Sequence, residues 1–224
     1  MKDRWVMILC LLLLTACGEQ RHAVIEWVDF IKWNNEQYHG ISTGTLADPS
    51  LIGEEVGKIK FRISDNIHDP EYKAKNGDAA FLEAGTVLYQ VKGHPELLAV
   101  KDTKKVNGYC IYYKDKSLEN YKWHYKDMPK QEVQKITVYA RDNANIQFIR
   151  EITDPSEIER MFSLLEEGHV QEVAISEEAK EYEVSFYTNE PVAYTYSVFQ
   201  SQDQYYWMPW EQEVLPAEIG EFLQ

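Results

Sequence analysis

The chain has 224 residues, with 37 acidic against 23 basic side chains and a formal charge of −14 at neutral pH. Such a charge repels phosphate backbones and anionic headgroups, which excludes nucleic acid and electrostatic membrane docking as modes of binding. The length suffices for one large or two small domains with a real core.

The first residues, MKDRWVMILCLLLLTACGEQ, run from a charged start at Lys2 and Arg4 through an apolar stretch, Trp5 to Leu14, to Thr15, Ala16 and Cys17. That is the order of an export signal. A spanning helix needs about 20 apolar residues, roughly twice what is here, so the run is no permanent anchor. Leu14-Thr15-Ala16-Cys17 resembles the lipobox of bacterial lipoproteins: a branched residue, two small ones, then the cysteine that receives the lipid. The resemblance implies a signal peptide over 1–16, lipidation at Cys17, and a mature body tethered to the cell membrane on its extracytoplasmic face. Removing 1–16 takes away Lys2, Arg4 and Asp3, so the mature charge is one unit more negative than −14. The lipid therefore does the holding, because chains contribute about 0.8 kcal/mol per buried methylene and two chains make stable attachment. With Cys10 in the signal and Cys17 acylated, Cys110 is the one thiol left in the body, so no intramolecular disulfide is available.

The composition changes near residue 128, in KDMPKQEV, which divides the body into a β-rich part over 17–128 and an α+β part over 129–224. In VIEWVDFIKW, Ile25, Trp27, Ile31 and Trp33 recur at period two, interrupted by Asp29. EVGKIKFRIS sets Val56, Ile59, Phe61 and Ile63 against Lys58, Lys60 and Arg62 and predicts a half-buried strand. A polar loop ending at Asn76-Gly77 leads to AAFL, TVLYQV, LLAVKD and NGYCIYYKD, short strands separated by Gly85, Gly93 and Asn107-Gly108. A small barrel or sandwich is the natural architecture. VDFIKWNNEQY, VGKIKFRISDN and NGDAAFLEAGTVLYQVKG are similar to an N-terminal module of uncharacterised lipoproteins from Bacillus-like Gram-positive bacteria, a resemblance over roughly 27–102 that implies a compartment and no catalytic residues.

Beyond the boundary the pattern reads β-β-α-β-β-β. VQKITVYAR aligns Ile136, Val138 and Ala140, Asp142-Asn143 turns, and NIQFIREI returns. Asp154, Pro155 and Glu157 form a helix start in a capping-box arrangement, Ile158, Met161, Phe162 and Leu165 follow at helical spacing, and Gly168 supplies a stop. EYEVSFYT, PVAYTYSVF and QYYWMPW are strands of an antiparallel sheet across which the helix packs. The tyrosines at 187, 194, 196, 205 and 206 suit a half-exposed opposite face.

For chemistry, Asp65, Asn66, Asp69 and Glu71 around His68 are the candidate set for a hard cation such as calcium, though the spacing is not that of an EF-hand and a solvated loop accounts for it too. The histidines at 22, 39, 68, 94, 124 and 169 are scattered. Cys110 sits in an apolar strand pattern, which fits a small buried hydrophobe better than a nucleophile served by His94 or His124. Tyr205, Tyr206, Trp207 and Trp210 form an aromatic cluster that either packs the core or presents rings to a sugar or peptide. No catalytic motif occurs, and no cofactor is implied. The expectation is a non-catalytic envelope protein binding a protein, a wall polymer or a small ligand; the alternative is an envelope enzyme whose site, metal-dependent or not, is assembled by the fold.

Overall fold

The computed structural model describes residues 27–122, 124–142, 145–176 and 178–224. The expected signal peptide over 1–16, the lipobox-like residues 14–17 with Cys17, and also Ile25 and Asn143 lie outside the described residues. The fold is β-rich α+β, a curled sheet followed by an antiparallel sheet that carries one helix.

The first sheet begins with a hairpin, β1 (Phe30–Trp33) and β2 (Glu36–Gly40), in which Trp33 pairs with Glu36. Both turn residues are left-handed, Asn34 at φ 49° and Asn35 at φ 63°, a conformation that asparagine tolerates and that matches strand twist. After β3 (Gly44–Leu46), which leaves for the other sheet, come β4 (Ile52–Lys58), β5 (Phe61–Arg62), β6 (Asp78–Ala79), β7 (Val87–Val91), β8 (His94–Lys101) and β9 (Tyr109–Lys114). Their order is β4-β7-β8-β9-β2-β1-β6-β5.

The strand expected over EVGKIKFRIS is thus split, with β4 on one edge of the sheet and β5 on the other. The join is direct. Ile59 donates to Thr86 O and accepts from Gly85 N on the β7 side, whereas Lys60 donates to Gly77 O on the β6 side. One stretch of backbone thereby serves both edges and curls the sheet back on itself into a barrel-like shape, although β4 and β5 do not pair with each other. Gly57 lets the path through, because a Cβ there would stand 2.2 Å from the Trp33 ring. Ile31, Tyr38, Ile59, Ala79, Leu88, Leu98, Val100 and Tyr112 fill the interior, with Trp33 and Cys110 against them. Trp27 does not share the Ile31 face; it packs with Phe30 and Ile63 in a separate cluster outside. Val56 is likewise exposed rather than buried, since the ladder to β7 is irregular between Glu55 and Gly57 and leaves that residue out of register.

The second sheet is built from β10 (Lys135–Asp142), β11 (Asn145–Ile152), β12 (His169–Val170), β13 (Lys180–Tyr187), β14 (Val192–Ser201), β15 (Gln204–Trp207) and β16 (Glu213–Leu215). Its order is β11-β10-β13-β14-β15-β16-β12, and β3 pairs with the start of β14, Leu46 opposite Val192. The helix, α1 (Pro155–Glu166), starts as its sequence requires: the Asp154 carboxylate accepts from the amides of Ser156 and Glu157, and Pro155 occupies the first turn. Glu157 itself turns away to Arg150, 3.0 Å off. Ile158, Met161, Leu164 and Leu165 are its buried face.

The two faces of this sheet differ by parity. Ile136, Val138, Val184, Phe186, Tyr194, Tyr196 and Val198 join the large core with α1 and with Val91, Leu97, Ile111 and Tyr113 of the barrel half. Thr137, Glu183, Ser185 and Thr195 form the opposite, polar face, which is buried as well. Ser185 and Thr195 hydroxyls bond at 2.9 Å, and the Thr45 hydroxyl donates to Val106 O at 2.5 Å. The half-exposed tyrosine face expected from the sequence is therefore corrected: tyrosines 187, 194, 196, 205 and 206 are all buried, Tyr194, Tyr196 and Tyr205 in the core shared with the first sheet and the helix, and Tyr187 on the other side against Asn107. KDMPKQEV is packed, not a free connector, with Met128 and Val133 in the shared core.

Candidate functional site

Where the barrel meets the second sheet, a cleft of about 550 Å³ opens between Glu96, Tyr113, Ser117, Tyr121, Lys122, Asp127, Pro129, Glu132, Glu190, Val192 and Tyr194. Strands β8 and β9 supply Glu96 and Tyr113, and β14 supplies Val192 and Tyr194. The turn before β14 supplies Glu190, and the connecting segment with the 3-10 turns Asp115–Asn120, Tyr125–Asp127 and Lys130–Glu132 brings the remainder across the gap.

Three tyrosines form its base. The Tyr121 ring lies 5.4 Å from that of Tyr194 with planes 7° apart, and 5.6 Å from that of Tyr113. Tyr121 is fixed by donating its hydroxyl to Thr43 O at 2.5 Å, in space that Gly44 leaves open. Burial raises all three phenols above the ordinary tyrosine range, with Tyr113 pushed up to about 12 by burial first and then by the charges of Glu96 and Glu190. Around this base, among the described residues, stand four carboxylates, Glu96, Asp127, Glu132 and Glu190, against one lysine. Glu96 also contacts His94 Nδ1 at 3.1 Å.

The residues singled out from the sequence fall elsewhere. Asp65 faces Arg62 Nε at 3.3 Å, Asp69 closes its own turn by accepting from Glu71 N at 2.9 Å, and Asn66 donates to Arg62 O at 2.8 Å. These are the local bonds of a loop. Among the described residues no three His, Cys, Asp or Glu side chains come together as metal ligands. The aromatic cluster divides: Tyr205 and Trp207 enter the core, Tyr206 is buried with its hydroxyl on Gln204, and Trp210 is 70% exposed. Trp207 is held by Glu213, which accepts from its indole N–H at 3.0 Å, and Trp210 meets the His124 ring at 4.2 Å beside a shallow pocket of about 380 Å³.

Cys110 is half-buried, and its thiol donates to Asp102 at 3.3 Å. Burial, then the Asp102 bond and charge, push it up to about 12, the opposite of what a nucleophilic thiol needs. The cleft residues Tyr113, Tyr121, Tyr194 and Glu190 were not distinguished in the sequence. Tyrosines at alternate positions read equally as core, and only the β3 to β14 pairing and the 3-10 turns bring them to one place. Among the described residues, no helix is long and apolar enough to cross a membrane. Comparison of the chain with protein-family models, with curated proteins and with solved structures finds no match.

Proposed function

We propose that this chain is a bacterial lipoprotein, held through a lipid on Cys17 at the extracytoplasmic face of the cell membrane, which binds a ligand or partner of the envelope without turning it over. The observation that carries a binding role is the cleft at the junction of barrel and sheet, whose base of stacked tyrosines is rigid and whose rim is polar. Clefts of this size with aromatic walls and a few converging polar groups are the usual form of a small-ligand site. The lipobox supports the tether, and the strongly acidic body supports a lipid rather than charge as the means of attachment.

Cross-linking in intact membranes followed by affinity purification and mass spectrometry tests both parts. A Cys17-acylated N-terminus and a cross-link mapping to residues of the cleft are expected. An intact Met1 or an unmodified Cys17 removes the tether, and turnover of an envelope substrate that a single polar substitution abolishes replaces binding by catalysis.

A further inference from the structure

The chemistry of the cleft narrows what it holds, on the reading that it is a binding site. Tyr113 and Tyr194 are only 8% and 5% exposed, both line the cleft, and among the described residues neither hydroxyl has a hydrogen-bond partner. Tyr121, by contrast, is satisfied by Thr43. The rings are buried, but neither hydroxyl oxygen is among the fully buried polar atoms left without a partner, so both reach the cavity, where a ligand's polar group can meet them.

The surrounding charge identifies the sign of that group. Glu96 from β8, Glu132 from the Lys130–Glu132 turn and Glu190 from the turn before β14 line the same cleft as the two phenols, and their charges add to burial in raising Tyr113 and Tyr194. Among the described residues, Lys122 is the one cation in the lining. An anion would meet these carboxylates at close range. A neutral polyol would satisfy the hydroxyls and leave the acidic rim unneutralised. A bare metal ion lacks a converging set of three ligands among the described residues. An ammonium group brings three donors and no acceptor, which suits phenol and carboxylate oxygens together, and a cation over tyrosine faces gains a further electrostatic contribution. The apolar walls, Val192, Pro129 and the Tyr121–Tyr194 stack, suit methylenes.

We propose that the cleft binds a primary ammonium on an alkyl stem, with the ammonium between Glu190 and the Tyr113 and Tyr194 hydroxyls and the stem along the tyrosine stack. The same chemistry is presented by a free polyamine and by a lysine side chain of a peptide.

Calorimetric titration of the full lipidated chain in detergent separates these sources, using spermidine, an N- and C-blocked trilysine, and the same peptide acetylated on every Nε. Binding of at least one ammonium probe is expected, with loss on acetylation, weakening as salt rises, and a drop of at least tenfold in Tyr113→Phe/Tyr194→Phe. Spermidine alone binding assigns the free amine, and trilysine alone assigns the peptide. Should the double phenylalanine variant fail to fold by circular dichroism, Glu96→Gln/Glu190→Gln, on the half-buried and exposed rim, carries the same expectation.

Equal affinity for the acetylated peptide, or undiminished binding in the folded variants, overturns the proposal. Failure of every ammonium probe while an uncharged or anionic ligand cross-links to the cleft also overturns it and leaves the binding reading intact. Absence of any cross-linked ligand or partner in membranes removes both.

Discussion

Arg141 on β10 and Glu183 on β13 form an ion pair inside the polar face of the second sheet, with only 17% and 5% of their side chains exposed. The same guanidinium donates to Lys104 O at 2.9 Å, so it also pins the barrel's 102–108 loop over that face. Removing one partner of such a pair strands the other charge in a poorly solvated place, at a cost of about 3–5 kcal/mol. Arg141→Ala is expected to lower the urea midpoint accordingly, while a double replacement by apolar residues of similar volume recovers much of the loss. A midpoint unchanged in Arg141→Ala contradicts the role given to the pair.

Gly44 is where the cleft's base depends on the absence of a side chain. A Cβ there would stand 2.6 Å from the Tyr121 hydroxyl and 2.8 Å from Val192 Cγ1. Overpacking of this kind costs about 1–3 kcal/mol. Gly44→Ala is expected to destabilise the chain by that amount and to alter the near-ultraviolet dichroism as Tyr121 tilts off Tyr194; an unchanged spectrum counts against the stack.

The two tryptophans near the C-terminus are expected to behave oppositely. Trp207 is wholly buried against Tyr125 and Tyr196, so Trp207→Ala costs about 3–5 kcal/mol. Trp210→Ala stays within about 0.5 kcal/mol, being largely in water. Acrylamide quenching of indole fluorescence, compared between the native chain and Trp210→Phe, checks the exposure directly.

Asp29 lies beside the barrel core, accepting from the Tyr112 hydroxyl at 3.4 Å, and burial raises its carboxyl above the ordinary aspartate value. Folding therefore favours its protonated form. The stability this contributes is fully present below the unfolded value of 3.8 and is lost as pH rises through the higher folded one. Asp29→Asn does not titrate, so its stability relative to the native chain is expected to improve from acid toward neutral pH. A difference that stays flat over that range refutes the shift.

Cys110 is expected to be a poor nucleophile, because its thiol, pushed up to about 12, holds very little thiolate at neutral pH. Iodoacetamide labelling mapped to Cys110 should proceed at least about tenfold more slowly in the folded chain than in urea. Equal rates would mean that the thiol is neither desolvated nor held by Asp102.

Much of this architecture is legible in the sequence where local chemistry decides. The Asp154-Pro155 start, the glycine turns and the alternation of β10, β11, β13, β14 and β15 each rest on residues within a few positions of one another. The curling of the first sheet was not legible, since EVGKIKFRIS reads as one strand with a small slip in phase and only its pairing with two distant strands splits it. Nor was the covered polar face, because Thr137, Ser185 and Thr195 read as solvent-facing until the 102–108 loop is laid across them. The cleft is the extreme case: its tyrosines obey the core pattern, and their opening to a cavity is a property of the gap between two sheets.

The pairing of β3 with β14 also bears on how the chain reaches this state. Synthesis delivers β3 long before its partner exists, so Leu46 and its neighbours wait without their final cover while more than a hundred further residues are made. Pairings so distant in sequence close slowly, and they do so late. A fragment ending near residue 128 would keep the strands of the barrel but leave that apolar edge, along with Ile41, Tyr121 and Tyr125, facing water, and would tend to associate through it. The strand that links the halves thus makes completion of the C-terminus a condition for the N-terminal half to become soluble.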